Sequence, residues 1–258
     1  MFKLDRRSAL LALASLAVMF VASAGRPAHA AEIRCACAEA MRPILADLGP
    51  KFEQATGHKL VIAYGLAPVV TRRVEGGESF DVAIINPPQV DALITAGKIE
   101  RDTRSSLGRA GVGVGVPAGS AKPDMSSVDA FKRTLLNSKS VAFPDEGTSG
   151  AYFRDVIRRL DLVDPMRDKV RPTAAGVGFA MVARGEAEMI VTIIPQLLAA
   201  TGLDFAGPVP AELQTWIGMV AGLGTGAHDA AAAKAFIAFL TTPAATAVMK
   251  AKGWEPIP

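Results

Sequence analysis

The chain has 258 residues, half of them hydrophobic, with 28 Lys and Arg, 25 Asp and Glu, and two cysteines. That length and apolar content suffice for a substantial core in one or two domains, and two cysteines exclude a disulfide framework. Setting aside residues 1–30, which carry Lys3, Arg6, Arg7, Arg26 and Asp5, leaves 24 basic against 24 acidic residues. A neutral body of this kind has no electrostatic footprint for nucleic acid or an anionic membrane surface, so both are excluded as partners.

Residues 1–30 open on Lys3, Arg6 and Arg7, continue through a mostly apolar run from Ala9 to Ala24, and end at Ala28-His29-Ala30. This is the pattern of a secretory signal peptide, and its apolar run is shorter than the roughly 20 residues of a membrane helix. It predicts cleavage after Ala30 and a periplasmic mature chain. Arg6-Arg7 raises twin-arginine export, but the fuller surrounding pattern is missing, so the route stays open.

From Ala31 onward strands and helices alternate. Ile33 to Ala38 reads as a strand, followed by a helix from Met41 to Thr56 with Ile44, Leu45, Leu48 and Phe52 on one face and Gly57 as its C-cap. Cys35 and Cys37 point the same way along that strand and cannot easily bridge; without nearby histidines they read as packed side chains, not as metal ligands. Lys59 to Tyr64 is a second strand. A short helix carrying Val70 and Val74 follows and stops at Gly76-Gly77. Phe80 to Ile85 is a third strand, ended by Asn86-Pro87-Pro88, and a helix from Gln89 to Ala96 ends at Gly97. Short joins between such elements predict a parallel sheet covered on both faces.

Arg109 to Pro117 alternates Gly111, Gly113 and Gly115 with Val112, Val114 and Val116, which is the period of a strand. It is not a dinucleotide fingerprint: the spacing differs from G-x-G-x-x-G, and Pro117 stands where a helix should open. The bare face suits close approach of another backbone. A second αβ series then runs through helix Val128 to Leu136, strand Ser140 to Phe143, helix Ser149 to Leu160, helix Gly178 to Ala183, strand Glu188 to Thr192 and helix Ile193 to Ala200. Gly207-Pro208-Val209-Pro210 reads as a connection. Strand Thr215 to Leu223 precedes helices Asp229 to Leu240 and Ala244 to Lys252.

In open parallel sheets ligands bind where strands hand over to helices, because helix N-termini present unpaired N–H groups and the positive end of a dipole. Such turns lie at Ala38-Glu39-Ala40, Gly65-Leu66-Ala67, Gly147 to Ala151, Ala174 to Val177 and Thr192-Ile193. The third is the strongest. Ser149 is placed to cap its helix or to donate to an oxyanion, and Gly147 and Gly150 let a ligand approach the backbone. Arg72 and Arg73 read either as arms toward a carboxylate or as a solvated helix face.

These turns, together with Lys51 to His58, Arg73 to Gly77 leading to Phe80-Asp81-Val82-Ala83, Val182 to Glu188, and Ala235-Phe236 to Gly253-Trp254, carry a family likeness in their order and spacing. Over nearly its whole length beyond the signal, the chain resembles the periplasmic molybdate-binding-protein-like solute receptors of ABC importers. The resemblance implies an α/β, two-lobed type II periplasmic binding fold, each lobe a mostly parallel sheet flanked by helices. It places 31–110 and 215–258 in one lobe and 111–214 in the other, with Gly111 to Val116 and Trp216 to Leu223 as the crossing strands. A monomer would hold a small anion, an oxyanion or organic carboxylate, in the cleft and engage an importer permease, with no cofactor. The implied ligand-binding residues are Glu39, Ala40, Gly65, Leu66, Ala67, Thr148, Ser149, Gly150, Ala151, Val177, Thr192 and Ile193. Molybdate and tungstate receptors carry hydroxyls on the first two turns and a tyrosine after the late strand. Ala40, Leu66 or Ala67, and Ile193 stand there instead, which argues for another small anion.

Two enzyme readings remain. Gly147 to Ala151 falls one residue short of a G-x-S-x-G elbow, and Ser149, Asp204 and His228 follow in triad order, but the resemblance puts His228 and Ser149 in different lobes. An exported aconitate isomerase is similar to this same receptor family, and Glu39, in the first cleft turn, would be the base of such a proton transfer.

Overall fold

The computed structural model describes residues 30–257; the signal-peptide reading of the preceding segment lies outside the described residues. Glu32–Ala38 forms β1, flanked in parallel by β2 (Lys59–Gly65) and β3 (Val82–Ile85), with Cys35 opposite both Ile62 and Val82. Between β1 and β2 runs α1 (Arg42–Thr56), entered through a single 3-10 turn, Glu39–Met41. It buries Ile44, Leu45, Leu48 and Phe52 along one stripe and ends where Gly57 adopts φ 76°, a left-handed conformation that glycine enters without a Cβ penalty. Helices α2 (Ala67–Glu75) and α3 (Pro87–Thr95) complete the first series.

The chain then enters β4 (Ser105–Pro117), the longest strand, which belongs to two half-sheets. Ser105 to Gly111 pairs antiparallel with β9 (Trp216–Leu223), which also pairs with β3. Val112 to Pro117 pairs antiparallel with β7 (Met189–Ile193) and β8 (Leu203–Pro208). Strand β5 (Val141–Pro144) continues the second half between β7 and β6 (Val170–Thr173), parallel to both. The order is β2-β1-β3-β9-β4-β7-β5-β6, with β8 attached to β4. Helices α4 (Val128–Asn137), α5 (Thr148–Arg159), α6 (Val163–Met166), α7 (Val177–Ala183) and α8 (Ile194–Ala199) accompany the second half. Helices α9 (Ala230–Leu240) and α10 (Pro243–Ala251) return to the first, where Phe236 and Phe239 lie 5.0 and 5.5 Å from the Phe52 ring.

Two segments differ from the sequence reading. Gly207-Pro208 is not a connection but the end of β8, which fits the bare face of β4: a Cβ on Gly113 would stand 2.7 Å from the Phe205 ring and 2.8 Å from the Gly207 carbonyl. Strand β6, unassigned from sequence, carries Pro172 at the edge of the sheet, where a missing N–H costs no ladder bond. Of the two segments expected to cross, β4 pairs in both half-sheets whereas β9 pairs only in the first. Beside β4 the return segment uses a side chain as ladder: Gln214 Oε1 accepts from Val112 N–H at 2.7 Å and its Nε2 donates to Val112 C=O at 2.9 Å.

Candidate functional site

Five helix starts converge on one cavity. Their N-cap residues are Ala38, Leu66, Asn86, Gly147 and Ile193, and all five line a space of about 40 Å³ that also meets Ile217 and Met219 of β9. None of the five uses a side-chain cap. Away from the cavity, Ser127, Asp229 and Thr242 cap α4, α9 and α10 in the ordinary way, each accepting from a first-turn N–H. First-turn N–H groups have no intrahelical acceptor, so those of Ala67, Thr148 and Ser149 are donors available to an anion. Pro87 and Pro88 remove the corresponding donors of α3, which contributes the field of its positive end and the Asn86 side chain instead.

The hydroxyls are wired together rather than used as caps. Thr148 Oγ1 donates to Asn86 Oδ1 at 3.3 Å, and Asn86 Nδ2 donates to Gly218 C=O at 3.0 Å. Ser149 Oγ lies 3.3 Å from Thr192 Oγ1, which donates to Gln196 Oε1 at 3.3 Å. A hydroxyl has one proton. With Thr192 committed to Gln196, Ser149 must donate to Thr192 and offers the cavity only lone pairs. Rotating the Gln196 amide by half a turn reverses the chain: its N–H donates to Thr192, Thr192 to Ser149, and the Ser149 proton is released toward a bound anion. The capping expected of Ser149 is absent, because the N-cap position belongs to Gly147.

Among the described residues, the one carboxylate lining the cavity is that of Glu39. Both its oxygens are occupied by Arg42, with Nε donating at 2.5 Å and Nη2 at 2.9 Å, and the guanidinium lies 4.0 Å over the Tyr64 ring. Hydrogen bonding from Glu39 pushes the Arg42 pKa further above its already high value, so the pair is a held zwitterion that cancels the acid's charge. Burial raises the Cys37 thiol and the Tyr64 phenol, keeping both neutral beneath it. Among the described residues no Lys or Arg lines the five-helix cavity itself.

Of the residues expected from sequence, Glu39, Ala40, Leu66, Ala67, Thr148, Ser149 and Ile193 line this cavity. Gly65, Gly150, Ala151, Val177 and Thr192 do not. Thr192 is fully buried behind Ser149, and Gly150 serves packing: a Cβ there would fall 1.6 Å from the Pro144 carbonyl oxygen. Ala151 and Val177 are exposed. Asn86 and Gln196 were missed; the first reads from sequence as a strand terminator before two prolines, the second as an ordinary helix residue. Arg72 pairs with Glu146 at 3.2 Å and Arg73 with Glu78, so neither arginine reaches inward. The triad does not assemble: Asp204 accepts from Gly119 N–H at 2.8 Å, and His228 packs against Arg34 and Asp81.

Comparison with known proteins follows the same geometry. Residues 33–255 match the model of the bacterial extracellular solute-binding protein family. The chain is 32% identical over 218 residues to an aconitate isomerase of Pseudomonas sp., covering 82% of this chain and 83% of the relative. It is 28% identical over 236 residues to the molybdate-binding protein ModA of Azotobacter vinelandii, covering 88% and 91%. The solved Azotobacter vinelandii periplasmic molybdate-binding protein superposes with a TM-score of 0.74 at 21% identity, over 88% of this chain and 99% of that one, which places the fold among type II periplasmic binding proteins. The chain therefore belongs to the bacterial extracellular solute-binding protein family and is ModA-like within it.

Proposed function

We propose that the chain, freed of residues 1–30, is a monomeric periplasmic receptor that captures a small anion in the five-helix cavity and presents it to an importer permease. Residues 31–110 with 215–258, and 111–214, would be the lobes that move about it. The carrying observation is that five helix starts without a side-chain cap meet at one cavity, whereas α1, α6 and α7, also without one, do not open into it. An interior of about 40 Å³ is small, which suits a carboxylate or a compact oxyanion rather than a large solute. Ala40, Leu66, Ala67 and Ile193 line it without a side-chain donor, which favours an organic carboxylate over molybdate. Thermal unfolding of residues 31–258 with oxyanions and with mono-, di- and tricarboxylates tests this. A ligand at about 100 times its Kd stabilises by about 2.7 kcal/mol, so the bound class stands out as a raised Tm; no shift with any anion refutes the reading.

A second reading is an exported isomerase acting on a small carboxylate. It is favoured by the 32% identity to an aconitate isomerase and by Glu39 in the cavity wall, where a carboxylate beside a bound substrate is placed to move a proton. Incubation with trans-aconitate followed by NMR of the products separates the two: a receptor returns it unchanged, an isomerase yields the cis isomer and loses activity in Glu39→Gln.

A further inference from the structure

Resting on the anion-receptor reading of the same cavity, we infer that the ligand carries two anionic groups, the second held by Arg42 in an adjoining outer compartment, and is a short-chain di- or tricarboxylate. The outer compartment has a volume of about 240 Å³ against about 40 Å³ inside, and the two share Glu39 and Gln196 as common walls. With Glu39 and Gln196 common to both, the two spaces lie against each other, so a ligand longer than one carboxylate, seated in the inner one, would extend toward the outer one, called the mouth below. The inner end accommodates one carboxylate. The mouth offers Pro43, Phe179 and Ala199 to a carbon skeleton, and Arg42 to a second charge.

Arg42 is the sole Lys or Arg lining either compartment among the described residues. Its Nε and Nη2 face Glu39, and Nη1 takes no part in that fork, leaving donors for another acceptor. Stacking over Tyr64 holds the guanidinium plane, so little side-chain entropy remains to be lost when a carboxylate arrives. An anion confined to the inner end meets a Glu39–Arg42 pair whose charges cancel, whereas one long enough to reach the guanidinium lets it serve both carboxylates. A compact tetrahedral oxyanion fills the inner end and leaves Arg42 unused and the mouth empty.

The probes are citrate, acetate, sulfate and molybdate, titrated calorimetrically into residues 31–258 and into two variants. Citrate is expected to bind more tightly than the other three. The double variant Glu39→Gln/Arg42→Gln removes both charges of the pair, so the net charge of the site is unchanged and only the guanidinium contact is lost. Citrate affinity should fall at least about tenfold, and sulfate or acetate affinity by less than about threefold. Ala199→Trp, at an exposed position on the mouth, should likewise weaken citrate selectively. Unfolding midpoints of the ligand-free variants check that each is folded. Tighter binding of sulfate or molybdate than of citrate, an equal loss for every anion, or no loss for citrate overturns the inference while leaving an anion receptor. No heat with any of the four overturns the receptor reading and this inference together.

Discussion

Ser149 carries more information than its place in the sequence suggests. As a buried hydroxyl beside Thr192, with its proton turned away from the cavity, it donates to an anion only after the Thr192–Gln196 link reverses. A hydrogen bond to a charged acceptor contributes about 1.5–3 kcal/mol, and the reversal offsets part of it. Ser149→Ala should therefore weaken the ligand found by thermal unfolding by about tenfold while leaving the ligand-free Tm nearly unchanged, since Thr192 keeps its bond to Gln196. Unchanged affinity would reduce Ser149 to a packing residue. Sequence reasoning found this residue because a hydroxyl between glycines after a strand is a local signal. It missed Asn86 and Gln196, because their roles arise from partners at sequence separations of 62 and 4 that only the folded chain brings together with the cavity.

At the scale of elements, the alternation of apolar runs and amphipathic stretches was readable nearly throughout, and the boundaries moved by a residue or two, except that β4 begins at Ser105, four residues before the alternating run from Arg109. The failures share a cause. Strands β6 and β8 are short, contain proline and lie against partners rather than in the middle of the sheet, so neither shows the continuous apolar run of a central strand. The glycines of β4 were legible as a bare face, but what lies against that face was not. It proves to be β8 and α8: a Cβ on Gly115 would stand 2.7 Å from Leu197, much as one on Gly113 would meet Phe205. Gly113→Ala should consequently displace β8 and cost about 1–3 kcal/mol, read by calorimetry, although alanine suits a strand as well as glycine does. If stability is preserved, β8 yields without loss and the close approach is incidental.

For the molecule as a whole, stability depends on how β1, β3 and the turn before α9 are joined at the end of the sheet away from the cavity. Asp81, 1% exposed, accepts from the N–H groups of Arg34 and His228, each at 2.7 Å, and from Arg34 Nε at 3.4 Å. Burial alone would raise its pKa; the two backbone bonds and the Arg34 charge overcome that and hold it below its ordinary value. A depressed carboxylate contributes stability that is present above its unfolded pKa, about 3.9, and is lost as pH falls through the folded value. Asp81→Asn should be less stable than the parent at pH 7, with the gap closing below about pH 4. A gap that persists to pH 2 would mean that shape, not charge, is what Asp81 supplies. Only the charge of this residue was visible in the sequence, inside the family-like stretch Phe80 to Ala83; its burial depends on Arg34 and His228, 47 and 147 residues away.

The described chain begins and ends in the same half-sheet. Ala31 C=O accepts from Lys59 N–H beside β1, and Glu255 bridges Arg109 in the first half of β4. Anchoring or fusing either end of this stretch therefore attaches to the first half and leaves the β5–β7 half untethered. A distance reporter must place one label on each half. Val61 and Val163, 47% and 51% exposed on β2 and α6, are suitable positions. Cys35 and Cys37, at 1% and 0% exposure, are shielded from thiol reagents, so cysteines introduced at those two valines would be labelled without removing the native pair.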